Sequence, residues 1–182
     1  MKLSSLFRLA VPFVIYFGSR IAIDQAAQTS DYQPTPSQQT AIATAPAIQN
    51  LPNEQVEQLI HEKINNYRES RGLTPFTLDY RITNESRKYS EKMASGAAEF
   101  SHDGFEQRAE SLEKQALKYQ SVAENLAMLQ GYDDLATVAV EGWIDSPGHH
   151  KNIIGDFDLT GVGVVKNEAG EYYFTQLFLK RQ

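Results

Sequence analysis

The hydrophobic rhythm of the chain changes sharply along its length. Lys2 and Arg8 precede an apolar run, Leu9 to Gly18, that ends at Ser19-Arg20. A basic start followed by an apolar stretch of this length is the pattern of an export signal. A membrane-spanning helix needs about 20 apolar residues, which this run reaches only by extending through Arg20 to Ile23. No clean small-x-small cleavage pair follows, because Arg20 stands two before Ala22 and Asp24 two before Ala26. Residues 1–26 are therefore expected to be a signal peptide or, if uncleaved, a signal anchor. The pattern then lapses. Gln25 to Pro52 is built from Gln, Thr, Ser, Pro and Ala with few charges or large apolar groups, and such a segment cannot bury enough surface to offset its ordering entropy. Residues 27–53 read as a flexible linker that gives the following domain reach.

From Asn53 the period becomes helical. Val56, Ile60, Ile64 and Tyr67 form one stripe, opened by Asn53 as a cap and closed by Gly72. A second helix follows Asp79, with Ile82, Ser86, Tyr89 and Met93 on one face and an end near Gly96. A third spans Asp134 to Ile144, turning Leu135, Val138, Ala139 and Trp143 inward. The C-terminal part alternates instead. Leu159 to Val165 and Glu171 to Leu179 read as strands joined by the turn Asn167-Glu-Ala-Gly170. Along the second of them, Tyr173, Thr175, Leu177 and Leu179 face one way and Tyr172, Phe174, Gln176 and Phe178 the other. A strand apolar on both faces lies between two covering layers. With one more strand near Tyr119 to Leu126, the expected fold is α+β: a three-layer α-β-α sandwich with a small antiparallel sheet between helices, occupying residues 54–182.

Composition narrows the function classes. The formal charge is −6, and the basic excess sits in the leader, where Lys2, Arg8 and Arg20 face Asp24 alone. Nucleic-acid binding needs clustered Lys and Arg, and the dense basic stretches of the remainder, such as Lys180-Arg181, are too short to make such a footprint. There is no cysteine, which removes disulfides, thiolate metal sites and thiol catalysis. A domain of this size folds on its core without them.

The residues that carry chemistry are scattered. His61 lies beside the first helical stripe among Glu62 and Lys63 and reads as solvated surface. His102 sits in a loop before Asp103-Gly104. His149 lies in Trp143-Ile-Asp-Ser-Pro-Gly-His-His150, where Ser146 caps and Pro147 opens a short helix. Ala123-Glu124-Asn125-Leu126 places a carboxylate in an apolar segment, and a buried carboxylate needs a cation, a histidine or backbone amides beside it. Two imidazoles and one carboxylate are the ligand set of an open zinc site. Their separations of 22 and 25 residues match no contiguous ligand motif, so separate structural roles for the three residues remain the simpler reading of spacing alone.

Five segments, in this order, resemble the CAP superfamily (cysteine-rich secretory, antigen 5 and pathogenesis-related 1 proteins, the SCP-like domain) in its bacterial branch. They are Asn65-x-x-Arg68-x-x-x-Gly72-Leu73, Phe100-Ser101-His102, Glu124-Asn125-Leu126-Ala127, Trp143-x-x-Ser146-Pro147-Gly148-His149-x-x-Asn152-Ile153, and Gly161-Val162-Gly163 with Thr175-Gln176. The resemblance implies an α-β-α sandwich with a central groove that, in the eukaryotic branch, holds two histidines and two acidic residues able to bind a divalent metal. His102 and Glu124 match the first histidine and the first acid. Tyr173 stands where the eukaryotic branch has its second histidine, and the Ser-Pro-Gly-His histidine, His149, takes that role here. Asp145 is the nearest acid in sequence to serve as the fourth member, and Asn125 accompanies Glu124. The implied cofactor is Zn2+ or another divalent cation, on His102, Glu124 and His149. Trp143, Tyr172, Tyr173 and Phe178 are candidates for a lipid cleft of the kind found in sterol-carrying CAP proteins, although aromatic residues at helical and strand period ordinarily fill a core.

Three functions are open to such a chain. The first is a non-enzymatic binding module of the cell envelope, secreted or envelope-anchored and monomeric, whose groove holds a cation, a small ligand or an envelope component. The second is a metal-dependent peptidase or esterase with water activated in the same groove and Glu124 as base. It would run without a serine nucleophile, since no Gly-x-Ser-x-Gly is present and Ser101 beside His102 makes no dyad. The third is an interaction domain with a vestigial groove. Contact with a membrane is expected only through the leader.

Overall fold

The structure, a computed structural model, describes residues 51–182 and the backbone of the two-residue strand β1 (Ile15–Tyr16). The rest of the expected leader and linker lies outside the described residues.

Three long strands form the middle layer. β3 (Tyr119–Leu129) and β4 (Leu159–Lys166) both run antiparallel to β5 (Tyr172–Arg181), which lies between them. The edges carry short parallel strands, β1 along Ala127 and Met128, and β2 (Thr77–Leu78) along Leu159 and Thr160, giving the order β1-β3-β5-β4-β2. The expected hairpin turn closes β4 onto β5. Gly170 sits there at φ +85°, and its N–H donates to the Asn167 carbonyl at 3.1 Å.

The two faces of β5 are covered as its two-sided apolar pattern requires. On one face Phe174 and Phe178 join Val162, Val164, Ala123 and Ala127 under α1 (Asn53–Ser70), α4 (Leu135–Asp145) and α5 (Pro147–Ile153). On the other, Leu177 and Leu179 with Leu159 pack against Ile82 of α2 (Tyr80–Ala94) and Leu112 of α3 (Phe105–Lys114). Trp143 and Phe178 are fully enclosed, so the core reading of the aromatic residues holds for them, and Tyr172 packs at the edge of the same cluster.

The helix starts follow local chemistry unevenly. The Asp79 carboxylate accepts from the Arg81 N–H, and that of Asp134 accepts from the Thr137 N–H at 3.0 Å, as N-caps do. Asn53 is instead the first helical residue. Pro52 occupies the cap position without a side-chain bond, and its carbonyl accepts from Gln55 and Val56. The sequence does not announce α3: its start, at Gly104 with φ +76° and no side-chain cap, lacks the usual signal.

Two of the recognised segments serve the fold. The Asn65 side chain bonds both the N–H and the carbonyl of Phe76. Arg68 donates to the carbonyls of Thr74, Ile153 and Gly155 and lies 3.7 Å over the Phe76 ring, so one buried guanidinium ties the end of α1 to the end of α5. Gly161 and Gly163 let α2 lie directly on β4: a Cβ at either would come within 2.2 Å of a backbone nitrogen of α2. Ser86 and Ser90, on the helix face above them, donate to the carbonyls of Gly161 and Gly163. The serine in the apolar stripe of α2 is therefore a small residue at a close approach.

Candidate functional site

The loop between α2 and α3 carries His102, and two buried side chains hold that loop in place. Tyr89 Oη donates to the Ser101 carbonyl at 2.5 Å, and Arg108 Nη1 donates to the Asp103 carbonyl at 2.9 Å. Arg108 itself is 5% exposed and lies 3.4 Å over the Tyr89 ring. Neither residue is a site candidate by sequence. The available signal is an arginine at position 108 on the apolar stripe Phe105, Ala109, Leu112, which a helical reading of that segment would expose.

Glu124 projects from β3 toward this loop, with a side chain 2% exposed. His102 Nδ1 lies 2.8 Å from Glu124 Oε1, and Arg108 donates to both oxygens, through Nε to Oε2 at 2.6 Å and through Nη2 to Oε1 at 2.7 Å. Of the partners expected for a buried carboxylate, a cation, a histidine or backbone amides, the chain supplies the first two. A carboxylate only accepts, so the facing Nδ1 of His102 carries the proton and, in the neutral ring, Nε2 presents a lone pair.

His149 arrives from α5, at the outer edge of β3. The carbonyls of Glu124 and Leu126 are two residues apart and so point to the same side of the strand. They accept from Asn152 Nδ2 at 3.2 Å and from Trp143 Nε1 at 2.9 Å, which fastens α4 and α5 along that edge. Asn125 bonds the His149 carbonyl and the Asn152 side chain, so its role is to seat α5. Ser146 does not cap α5 with its side chain; its Oγ lies 2.9 Å from His149 Nδ1. His149 is 1% exposed, and burial, with the charge of nearby His102 adding to it, lowers its pKa from 6.5 to about 4. The Nε2 atoms of both His102 and His149 are buried without a hydrogen-bond partner in the protein. The two rings are close enough for the charge of one to act on the other.

Asp145 is exposed at the end of α4 and takes no part in these contacts. Tyr173 packs against Phe100, and its hydroxyl donates to Glu171 at 3.1 Å. His61 is no plain surface residue: its Nε2 lies 3.2 Å from the Asn65 side chain, Nδ1 is buried without a partner, and burial lowers its pKa.

The divalent-metal site implied by the resemblance fits these residues poorly. Among the described residues, no three of His, Cys, Asp or Glu come together so as to hold an ion. His102 and His149 offer nitrogen, but both oxygens of Glu124 are already engaged.

The profile of the cysteine-rich secretory protein family, CAP, matches residues 61–178. Among solved structures, the chain is similar to an outer surface protein from Borrelia burgdorferi, with a TM-score of 0.62 and 20% identity over 72% of this chain and 97% of that one. It is also similar to an extracellular protein containing a SCP domain from Bacillus anthracis str. Ames, with a TM-score of 0.59 and 25% identity over 82% of this chain and 45% of that one. A stretch of 71 residues is 39% identical to the uncharacterized membrane protein YlbC of Bacillus subtilis (strain 168), covering 38% of this chain and 18% of that protein. The chain thus spans under half of the Bacillus anthracis protein and under a fifth of the Bacillus subtilis one. With well over half of its length matched by the family profile and the α-β-α sandwich of its structural neighbours, this chain belongs to the CAP family.

Proposed function

We propose that the protein is an exported, non-enzymatic binding module whose groove along the outer edge of β3 holds a cation or small polar ligand through the Nε2 atoms of His102 and His149. The observation that carries this reading is the pair of neighbouring imidazoles, each with a buried and unpartnered Nε2. Leaving a buried polar atom unsatisfied costs about 1–3 kcal/mol, so a pair of them marks a place prepared for something else. Export is supported by the basic and apolar leader and by structural relatives that are outer-surface or extracellular proteins.

Calorimetric titration with zinc chloride at neutral pH tests it. Binding that both His102→Ala and His149→Ala abolish is expected. Zinc binding that survives both changes, or no heat with zinc or with small anionic ligands, would move the function to the outer surface of the domain.

A second reading, a hydrolase in the same groove, draws on the Glu124 carboxylate behind His102, an arrangement that orients an imidazole as a base toward Nε2. With Glu124 held by Arg108, the base in that reading is His102 rather than Glu124. Turnover of peptide or ester substrates that disappears in His102→Ala would favour it over simple binding.

A further inference from the structure

We infer that the cavity lined by Arg68, between the α1–β2 and α5–β4 connections, is a second binding site, independent of the histidine groove, for a small ligand that carries one carboxylate on a short apolar body.

The charge of Arg68 is the first observation. Among the described residues two arginines are buried, Arg108 and Arg68. Arg108 has Glu124 as its counter-charge. Arg68 is 3% exposed, yet no described carboxylate forms an ion pair with it. Arginine keeps its proton in any protein setting, and a buried charge without a partner is costly. The carbonyls of Thr74, Ile153 and Gly155 offset part of that cost through Nε and Nη1. They leave Nη2 without an acceptor among the described residues. Half of a planar fork that matches a carboxylate is therefore unused.

The surroundings of that fork are the second observation. Arg68 lines a cavity of about 390 Å³, a size within the range of small-molecule sites. The Phe76 ring covers one face of the guanidinium, so a ligand meets it from the other side. The remaining charges of the cavity are paired off, Lys180 with Asp156 at 2.8 Å and Asp158 with Arg181 at 2.7 Å. What is left over is the single positive charge of Arg68. Asp156 is near enough to oppose the lowering of the Arg68 pKa by burial, but its side chain is 89% exposed and bonded to Lys180. It is a competitor at the rim, weakened by solvent.

The walls are the third observation. Leu73, Pro75, Ile154 and Phe157 line the same cavity, and Ile154 is one of the few large apolar side chains that the domain leaves exposed. A single surplus cation suits a monoanion, since a doubly charged phosphate would bring its second charge against Asp156 and Asp158. The apolar wall suits a short aliphatic group behind the carboxylate. Two sources share this chemistry, a free short-chain acid and the C-terminal residue of a peptide.

The experiment follows the backbone N–H signals of the full chain by NMR during titration with sodium isovalerate, for the free acid, and with N-acetyl-leucine, for the peptide terminus. Isovaleramide and N-acetyl-leucinamide are the uncharged controls. Both acids are expected to give saturable shifts at Thr74, Gly155 and Phe157, and the amides to bind at least roughly tenfold more weakly, as the loss of a charge-assisted bond implies. The tighter of the two acids identifies the source. Replacing Arg68 would disturb the fold it ties together, so the variant is Asp156→Asn, at an exposed position, which removes the competing acid and releases Lys180. It is expected to tighten both acids several-fold. Absence of shifts at the three positions, equal shifts with acids and amides, or shifts centred on His102 and His149 would overturn the proposal, as would acid binding unchanged or weakened in Asp156→Asn.

Discussion

His149 illustrates how far a residue can be moved from its ordinary chemistry. Its ring is enclosed, touches Ser146 through Nδ1 and has His102 nearby, and its pKa falls to about 4 from 6.5. In the unfolded chain it takes up a proton near pH 6.5. The unfolded state therefore binds the extra proton between those values, and stability falls as the pH is lowered from about 6.5 to about 4, with no contribution from this residue above that window. At about 1.36 kcal/mol per unit, the loss from this residue is roughly 3 kcal/mol. Thermal or urea unfolding between pH 7 and 4 should show the decline, and it should be clearly smaller in His149→Gln. Equal slopes in both proteins would mean that the imidazole is solvated or neutralised by a partner. The same burial sets Glu124 apart from a surface acid, since removing Arg108 alone strands a buried carboxylate, a change that costs about 3–5 kcal/mol.

Among the elements, α2 depends most on what lies beneath it. The Gly161-Val162-Gly163 run leaves backbone against backbone, with Ser86 and Ser90 donating across the gap. Gly161→Ala would place a methyl 2.2 Å from the Thr83 nitrogen, which forces the helix outward. Overpacking of this kind typically costs about 1–3 kcal/mol and occasionally more, and with main chain on both sides the upper end is expected. Because α2 also bears Tyr89, which pins the His102 loop, the change should weaken zinc binding as well as lower the melting temperature. A Gly161→Ala protein with natural stability would show that α2 can lift without strain. At the other end of the sandwich, Arg68→Met should loosen α1 from α5 by about 3 kcal/mol, through the loss of charge-assisted bonds to buried carbonyls. Chemical denaturation of that variant checks the figure.

At the level of the whole molecule, the apolar clusters among the described residues lie within residues 51–182. They draw on side chains between Val56 and Leu179, with Leu51 packed against the first of them. A protein beginning at Leu51 is therefore expected to unfold cooperatively, with a midpoint within a few degrees of the full chain. A drop of more than ~8 °C, corresponding to about 2 kcal/mol for a domain of this size, would show that the first 50 residues add to the stability of the domain beyond the pairing of β1 with β3. Among the described residues, no helix is long and apolar enough to cross a membrane.

The architecture was legible because it rests on period. The stripes of α1, α2 and α4 and the two-sided apolar pattern of β5 report burial directly, and burial is what assembles the layers. Locally coded features were legible too, such as the Asp79 and Asp134 caps and the Asn167 to Gly170 turn. α3 was hidden because Gly104 caps it with backbone alone, and with it went Arg108. Sequence placed His102, Glu124, His149, Asn125 and Asp145 in one candidate set, but proximity along a motif does not fix direction: Asp145 turns to solvent and Asn125 to the seat of α5. Residue types alone determined that a buried Glu124 needed a cation, a histidine or backbone amides beside it. Whether a cation beside it would be a metal ion or Arg108 was decided by tertiary structure, because only the packing of α3 on the sheet brings a guanidinium to both oxygens of a carboxylate 16 residues away.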